Sequence, residues 1–265
     1  MISDLQPTSE ARADRGLLIV GHGTEEERGR DEFARLVRKV ARQAPHMLVE
    51  GCFLELASPD IAAGCAQLYE QGARDVTVVP LLLFSAGHAK RDIPEQVAAA
   101  QARLPGFNIR QAECLNCAAP LVELSALRYR QALATRAEVS SEKSLLLFVG
   151  RGSKDAEANA EMRRFAQLRQ EQTPVGGVEV CFLAMAQPAL AESLAAIAEL
   201  RWVRIVVQPH LLFAGKLADR IAMQVAEAAK SQQDKDFVLV EPLGAEDLLV
   251  QAVLLRAGAV HGAAV

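Results

Sequence analysis

Three residues of this 265-residue chain stand where metal or proton chemistry could be done: His22, Glu55 and His88. His22 sits between two glycines in Gly21-His22-Gly23-Thr24. Glu55 interrupts the apolar run Cys52-Phe53-Leu54-Glu55-Leu56-Ala57. His88 lies in Ser85-Ala86-Gly87-His88-Ala89-Lys90-Arg91-Asp92-Ile93-Pro94, beside two basic residues. Two imidazoles and a carboxylate suit a divalent transition metal, and neutral imidazole is also a base near neutral pH.

What selects these three is a comparison of the chain with itself. A shift of 129 residues lays Leu17-Leu18-Ile19-Val20-Gly21-His22-Gly23-Thr24 on Leu146-Leu147-Phe148-Val149-Gly150-Arg151-Gly152-Ser153. It lays Cys52–Pro59 on Cys181–Pro188 and Pro80–Phe84 on Pro209–Phe213. The apolar framework survives in both copies. His22 faces Arg151, Glu55 faces Ala184, and His88 faces Leu217, or Lys216 if one gap is allowed. Residues that both copies keep read as scaffold, and those that one copy keeps read as chemistry.

Each candidate has a plainer reading. The glycine-flanked turn alone could be a helix-entry loop with an exposed histidine. Glu55 could be a solvated strand end, since carboxylates are mostly exposed. Lys90 and Arg91 could be a solvated face or could hold substrate carboxylates, with Arg28 and Arg30 as weaker candidates for that task. Glycine-rich turns also hold phosphate, but a histidine-phosphatase signature would put arginine where Gly21 stands. His46 reads as a surface residue, His210 as a satisfied core or rim histidine, and His261 as part of the tail.

The elements that must position the candidates follow from periodicity. In the first half, continuous apolar runs predict strands over 16–20, 47–54, 75–80 and 107–109. Helical spacing predicts helices over 25–43, from Ser58 to Gly72, over 92–104 and over 120–134. Pro59 and Asp60 mark the start of the second helix. Asp92 reads as the N-cap of the third. The second half repeats the pattern: strands over 145–149, 178–183, 203–208 and 237–240, helices over 155–172, 188–200, 216–230 and 245–257. Buried strands alternating with helices imply an α/β fold with parallel sheets covered on both faces. The expected organisation is a tail over 1–14, lobes over 15–137 and 144–258, a polar linker over 138–143, and a tail over 259–265. Ligands of such sheets bind beyond the carboxyl ends of the strands, and His22, Glu55 and His88 all fall at that edge of the first sheet.

Net charge is −4, so nothing points to nucleic acid. No apolar run approaches the roughly 20 residues that span a membrane, and no secretion signal is visible, so a cytoplasmic protein is expected. The five cysteines are an odd number and argue against a disulfide framework. Cys114-Leu115-Asn116-Cys117 lacks the two further soft ligands a cluster would want and reads as structural.

Taken together, the GHGT turn, the FLELASP junction and the segment VVPLLLFSAGHAKRDIP resemble the sirohydrochlorin chelatases. These are ATP-independent class II enzymes that insert Co²⁺ or Fe²⁺ into sirohydrochlorin. The resemblance covers almost the whole chain, in the duplicated long form with a degenerate second half. It implies two tandem chelatase-like lobes facing across a cleft. It implies that His22 and His88 match the metal-handling histidines and Glu55 the acidic residue beside them. Thr24, Ser85, Lys90 and Arg91 would position the polycarboxylate substrate, and Arg151 could reach it from the second lobe. The cysteine- and histidine-rich extension of some members is not present, so no resident cofactor is expected, and the metal is a substrate. A monomer is expected, because one chain supplies both lobes. Cobalt and iron suit the same ligands and stay unseparated. A non-catalytic metal or tetrapyrrole carrier and a histidine-type phosphohydrolase remain the alternatives.

Overall fold

The computed structural model describes residues 14–258 except Ala86, and the side chain of His88 also lies outside the described residues. The expected tails over 1–14 and 259–265 fall outside them as well, apart from Asp14. The first lobe contains β1 (Arg15–Gly21), α1 (Glu27–Gln43), β2 (Leu48–Phe53), α2 (Ile61–Glu70), β3 (Asp75–Pro80), α3 (Ile93–Gln101), β4 (Asn108–Gln111) and α4 (Ala119–Leu133). The second contains β5 (Ser144–Gly150), α5 (Ala156–Glu171), β6 (Gly177–Phe182), α6 (Leu190–Ala198), β7 (Arg204–Pro209), α7 (Lys216–Ser231), β8 (Asp236–Leu239) and α8 (Asp247–Ala257). The sheets run β2-β1-β3-β4 and β6-β5-β7-β8, all parallel. Registers repeat as well, with Val20 opposite Cys52 and Val149 opposite Cys181.

Strand alternation sorts the core into three clusters. Leu17 and Ile19 of β1 face a central cluster with Leu146 and Phe148 of β5. That cluster is filled by Phe33 and Leu36 of α1, Leu121 and Leu124 of α4, Phe165 of α5 and Leu249 of α8. Leu18 and Val20 face the outer helices α2 and α3, and Leu147 and Val149 face α6 and α7. Four helices thus form one shared layer between two sheets, and the lobes close on each other by ordinary core packing. Each fully buried leucine or phenylalanine there contributes about 1.5–3 kcal/mol.

The helix after β1 lies on the central face and the helix after β3 on the outer face. The loops leaving these neighbouring strands diverge, which opens a crevice at their carboxyl ends. Two local expectations are corrected here. Asp60 rather than Ser58 caps α2, accepting from Ala63 N–H at 2.8 Å, so Pro59 precedes the helix. Asp92 is not an N-cap: its φ of −69° and ψ of −41° are helical, and it ends a π-helical turn His88–Asp92 that runs into α3.

That turn settles the alignment of the two halves. Buried Ile93, Val97 and Ala100 match buried Ile221, Val225 and Ala228 at an offset of 128, whereas Phe84 matches Phe213 at 129. The first lobe therefore carries one extra residue between these points, and His88 corresponds to Lys216. Among the described residues, the first lobe alone has the π turn there, and such turns occur often at functional sites.

Candidate functional site

Backbone hydrogen bonds stitch the His22 turn to the Glu55 segment. Leu54 N–H donates to Gly21 O at 2.8 Å and Glu55 N–H to His22 O at 3.1 Å. The approach is close enough that a Cβ on Gly23, whose φ is +103°, would lie 1.7 Å from Glu55 O. Only glycine is tolerated there, because the left-handed φ and the carbonyl both exclude a side chain. The result is a His22 Nε2–Glu55 Oε1 separation of 3.5 Å, with the side chains 26% and 47% exposed. A carboxylate at that distance can orient an imidazole and offset the charge of a cation that it binds.

The second lobe builds the same cradle without the chemistry. Leu183 N–H donates to Gly150 O at 2.9 Å and Ala184 N–H to Arg151 O at 3.0 Å. A Cβ on Gly152 would lie 1.8 Å from Ala184 O. Glycine is retained twice because the cradle is retained twice.

The two cradles open on one cleft of about 760 Å³ between the lobes. His22, Thr24 and Leu56 line it from the first lobe, and Arg151, Lys154 and His210 from the second. Its lining is mostly apolar and includes the equivalent residues Phe84 and Phe213. The size lies in the ordinary range for a small-molecule site. The backbone of His88 opens the π turn after β3, at the same sheet edge.

The CbiX family model matches residues 16–132 and again 145–259. The chain belongs to the CbiX family. It is 32% identical to a sirohydrochlorin ferrochelatase of Priestia megaterium over 91% of this chain and 88% of that protein. It is 28% identical to a sirohydrochlorin cobaltochelatase of the same organism, over 87% of this chain and 74% of that protein. Among solved structures, SirB from Bacillus subtilis with Fe³⁺ superposes with a TM-score of 0.82 at 28% identity, covering 92% of this chain and 94% of that one. The fold expected from the resemblance, two tandem chelatase-like α/β lobes, is the fold of this chain.

The remaining predicted site residues separate into those that reach the cleft and those that do not. Thr24 lines it, and its Oγ1 accepts from Glu26 N–H at 3.1 Å. Arg91 lines it with its Nε 3.1 Å from Asp92 Oδ1. Ser85 is not among the residues that line the cleft; it acts instead on the Cys114 thiol, offsetting part of the upward push of burial on that group. The Lys90 ammonium crosses to the second lobe, at 3.0 Å from Asp155 Oδ2 and 2.5 Å from Glu157 Oε2, and these partners hold its pKa above the usual lysine value. Arg28 likewise crosses to Asp219 at 2.8 Å, and Arg30 caps the Thr24 carbonyl at 3.2 Å. Arg151 lines the cleft as expected, and Lys154 joins it. Neither makes an ion pair among the described residues.

His210 departs from its expected role as a satisfied histidine. It is 2% exposed, its ring packs against Phe84 and Phe165, and its Nε2 has no hydrogen-bond partner among the described residues. Burial in this aromatic cage pushes its pKa down to about 3, so the ring is neutral at the edge of the cleft. Sequence reasoning passed over it because its neighbours are apolar, as around any core residue. Its equivalent in the first lobe is the buried Leu81. Cys114 is buried and Cys117 half-buried. Burial pushes both thiols up, Cys117 to about 11, which fits the structural reading of the pair.

Proposed function

We propose that the chain inserts Co²⁺ or Fe²⁺ into sirohydrochlorin without ATP. The observation that carries this reading is His22 in the wall of the cleft, with Glu55 Oε1 3.5 Å from its Nε2, across from Arg151 and Lys154, which make no ion pair among the described residues. The reaction requires a hydrated divalent cation to shed water and two pyrrole N–H protons to leave. Imidazole serves both needs, as a ligand for Co²⁺ and Fe²⁺ and as a base near neutral pH. In this reading His22 receives the cation or a proton, Glu55 orients it and offsets charge, and His88 completes the ligand set from the π turn. Arg151, Lys154 and Arg91 hold carboxylates at the rim, and the apolar lining accepts the flat ring. Relatives at similar identity carry the names of both a ferrochelatase and a cobaltochelatase, so the metal is left open. A single chain supplies both walls, which favours a monomer, and light scattering on the purified protein measures it.

An anaerobic visible-spectrum assay with sirohydrochlorin and Co²⁺ or Fe²⁺ tests the reading. Insertion faster than the uncatalysed rate, lost in both His22→Ala and His88→Ala, is the expected result. Equal rates with and without protein would exclude it, and retained binding of both ligands would then favour a carrier.

A further inference from the structure

Leu56 and Met185 are equivalent under the 129-residue shift and share three unusual properties. Both are large apolar side chains left exposed, at 58% and 49%. Both have positive φ, 62° and 58°, where unbranched and branched L side chains alike are strained. Both line the cleft, from opposite lobes. Each is the centre of a three-residue turn closed by the backbone bond from Ala57 N–H to Glu55 O or from Ala186 N–H to Ala184 O, 2.8 Å in both cases. A turn of this kind with positive φ is rare and strained, and glycine would relieve it.

Neither lobe uses glycine there. Exposure means that burial does not repay the strain, and the second lobe keeps the feature although its neighbour Ala184 has lost the carboxylate of Glu55. Repetition normally marks scaffold, but an exposed, strained side chain stabilises no fold. What the two positions have in common is the space between them.

We propose that Leu56 and Met185 are a pair of apolar jaws that hold the flat macrocycle from the two lobes and fix its plane against the His22 wall. The inference rests on the proposed tetrapyrrole substrate. Leu56 follows Glu55 directly, so the grip on the ring and the metal-handling pair move as one backbone unit. The cations at the rim then need only to catch carboxylates, while the jaws set the tilt and depth of the ring.

The test uses the intact chain and the variants Leu56→Gly, Met185→Gly and the exchange Leu56→Met/Met185→Leu. Metal-free sirohydrochlorin is titrated by fluorescence, insertion is followed separately, and thermal unfolding is recorded for each protein. Each glycine variant is expected to bind the macrocycle about tenfold more weakly, the loss that follows from removing one apolar side chain from a ligand contact. Its Tm is expected to equal or exceed that of the parent, by up to about 3 °C. The exchange variant keeps binding within twofold. Binding within twofold in the glycine variants, or a Tm below that of the parent, overturns the inference. If the parent binds the ring but inserts no metal while the glycine variants bind weakly, the chelatase reading fails and the jaws stand. If the parent inserts metal and the glycine variants bind normally, the jaws fail alone.

Discussion

The turn after β1 and the turn after β5 face each other across the cleft with the same backbone and opposite equipment. Each places a residue between two glycines and stitches it to the segment after the next strand. In the first lobe the residues brought together are His22 and Glu55, and in the second Arg151 and Ala184. One edge holds an imidazole beside a carboxylate, and the other a permanent cation with no ion pair among the described residues. The difference teaches a division of labour. In the proposed reaction the first lobe carries the reacting groups, and the second carries anchoring and the far wall.

The hardest way to break this comparison is to give the first lobe the residue of the second. His22→Arg is expected to abolish insertion, by at least about 100-fold in kcat/KM, because guanidinium neither ligates a cation nor takes a proton. The fold should survive, since Arg151 occupies the equivalent backbone. A far-ultraviolet spectrum and Tm like those of the parent, with insertion lost, is the expected pair of results. An active His22→Arg protein would dissolve the division altogether.

A second difference between the lobes lies one strand away, where His210 stands in the place of Leu81. Burial pushes the pKa of the ring down to about 3 in the folded chain, against about 6.5 in the unfolded one. Between those values the unfolded chain binds a proton that the native chain refuses. Stability conferred near neutral pH is therefore lost as pH falls from about 6.5 towards 3, with a slope of up to about 1.4 kcal/mol per pH unit. His210→Leu installs the first lobe's residue and removes this sensitivity. Urea unfolding at pH 7 and pH 5 should show the variant losing about 1–2 kcal/mol less than the parent over that interval. Equal losses would mean that His210 is not the acid-sensitive group.

Much of this was legible before the structure. Apolar runs located all eight strands within a residue or two, most sharply β1, β3, β5 and β7, because a strand buried on both faces leaves few polar positions to blur the pattern. His22 and Glu55 stood out because duplication supplied its own control. The same control hid Leu56 and Met185, since a property kept in both copies is discarded as scaffold, and only exposure and φ separate them from core. The π turn was invisible because a single inserted residue leaves helical periodicity intact on either side. The ion pairs of Lys90 and Arg28 depend on how the lobes pack, which no local pattern encodes.

The anchoring role of the second lobe is sharpened by Arg151→Ala. Its guanidinium lines the cleft, is exposed, and makes no ion pair among the described residues, so a substrate carboxylate would be its partner. The expected change is a KM raised about three- to tenfold with kcat within twofold, because a rim cation contributes equally to ground and transition states. A fall in kcat with KM unchanged would move Arg151 from anchoring into the chemistry.

The smallest expected effect belongs to Lys90, and it bears on which lobe anchors. Lys90 lies in the most distinctive segment of the sequence, and its ammonium is already shared by Asp155 and Glu157 across the lobe boundary. Its removal leaves neither acid stranded. Asp155 still accepts from Glu157 N–H at 2.9 Å, and both acids sit at the amino end of α5, where the helix dipole favours negative charge. Lys90→Ala is therefore expected to leave the KM for sirohydrochlorin within twofold and to reduce only the salt dependence of unfolding. A tenfold rise in KM would mean that Lys90 leaves its acidic partners for a substrate carboxylate. The first lobe would then both anchor and react, and the cleft would open and close by exchanging one set of carboxylates for another.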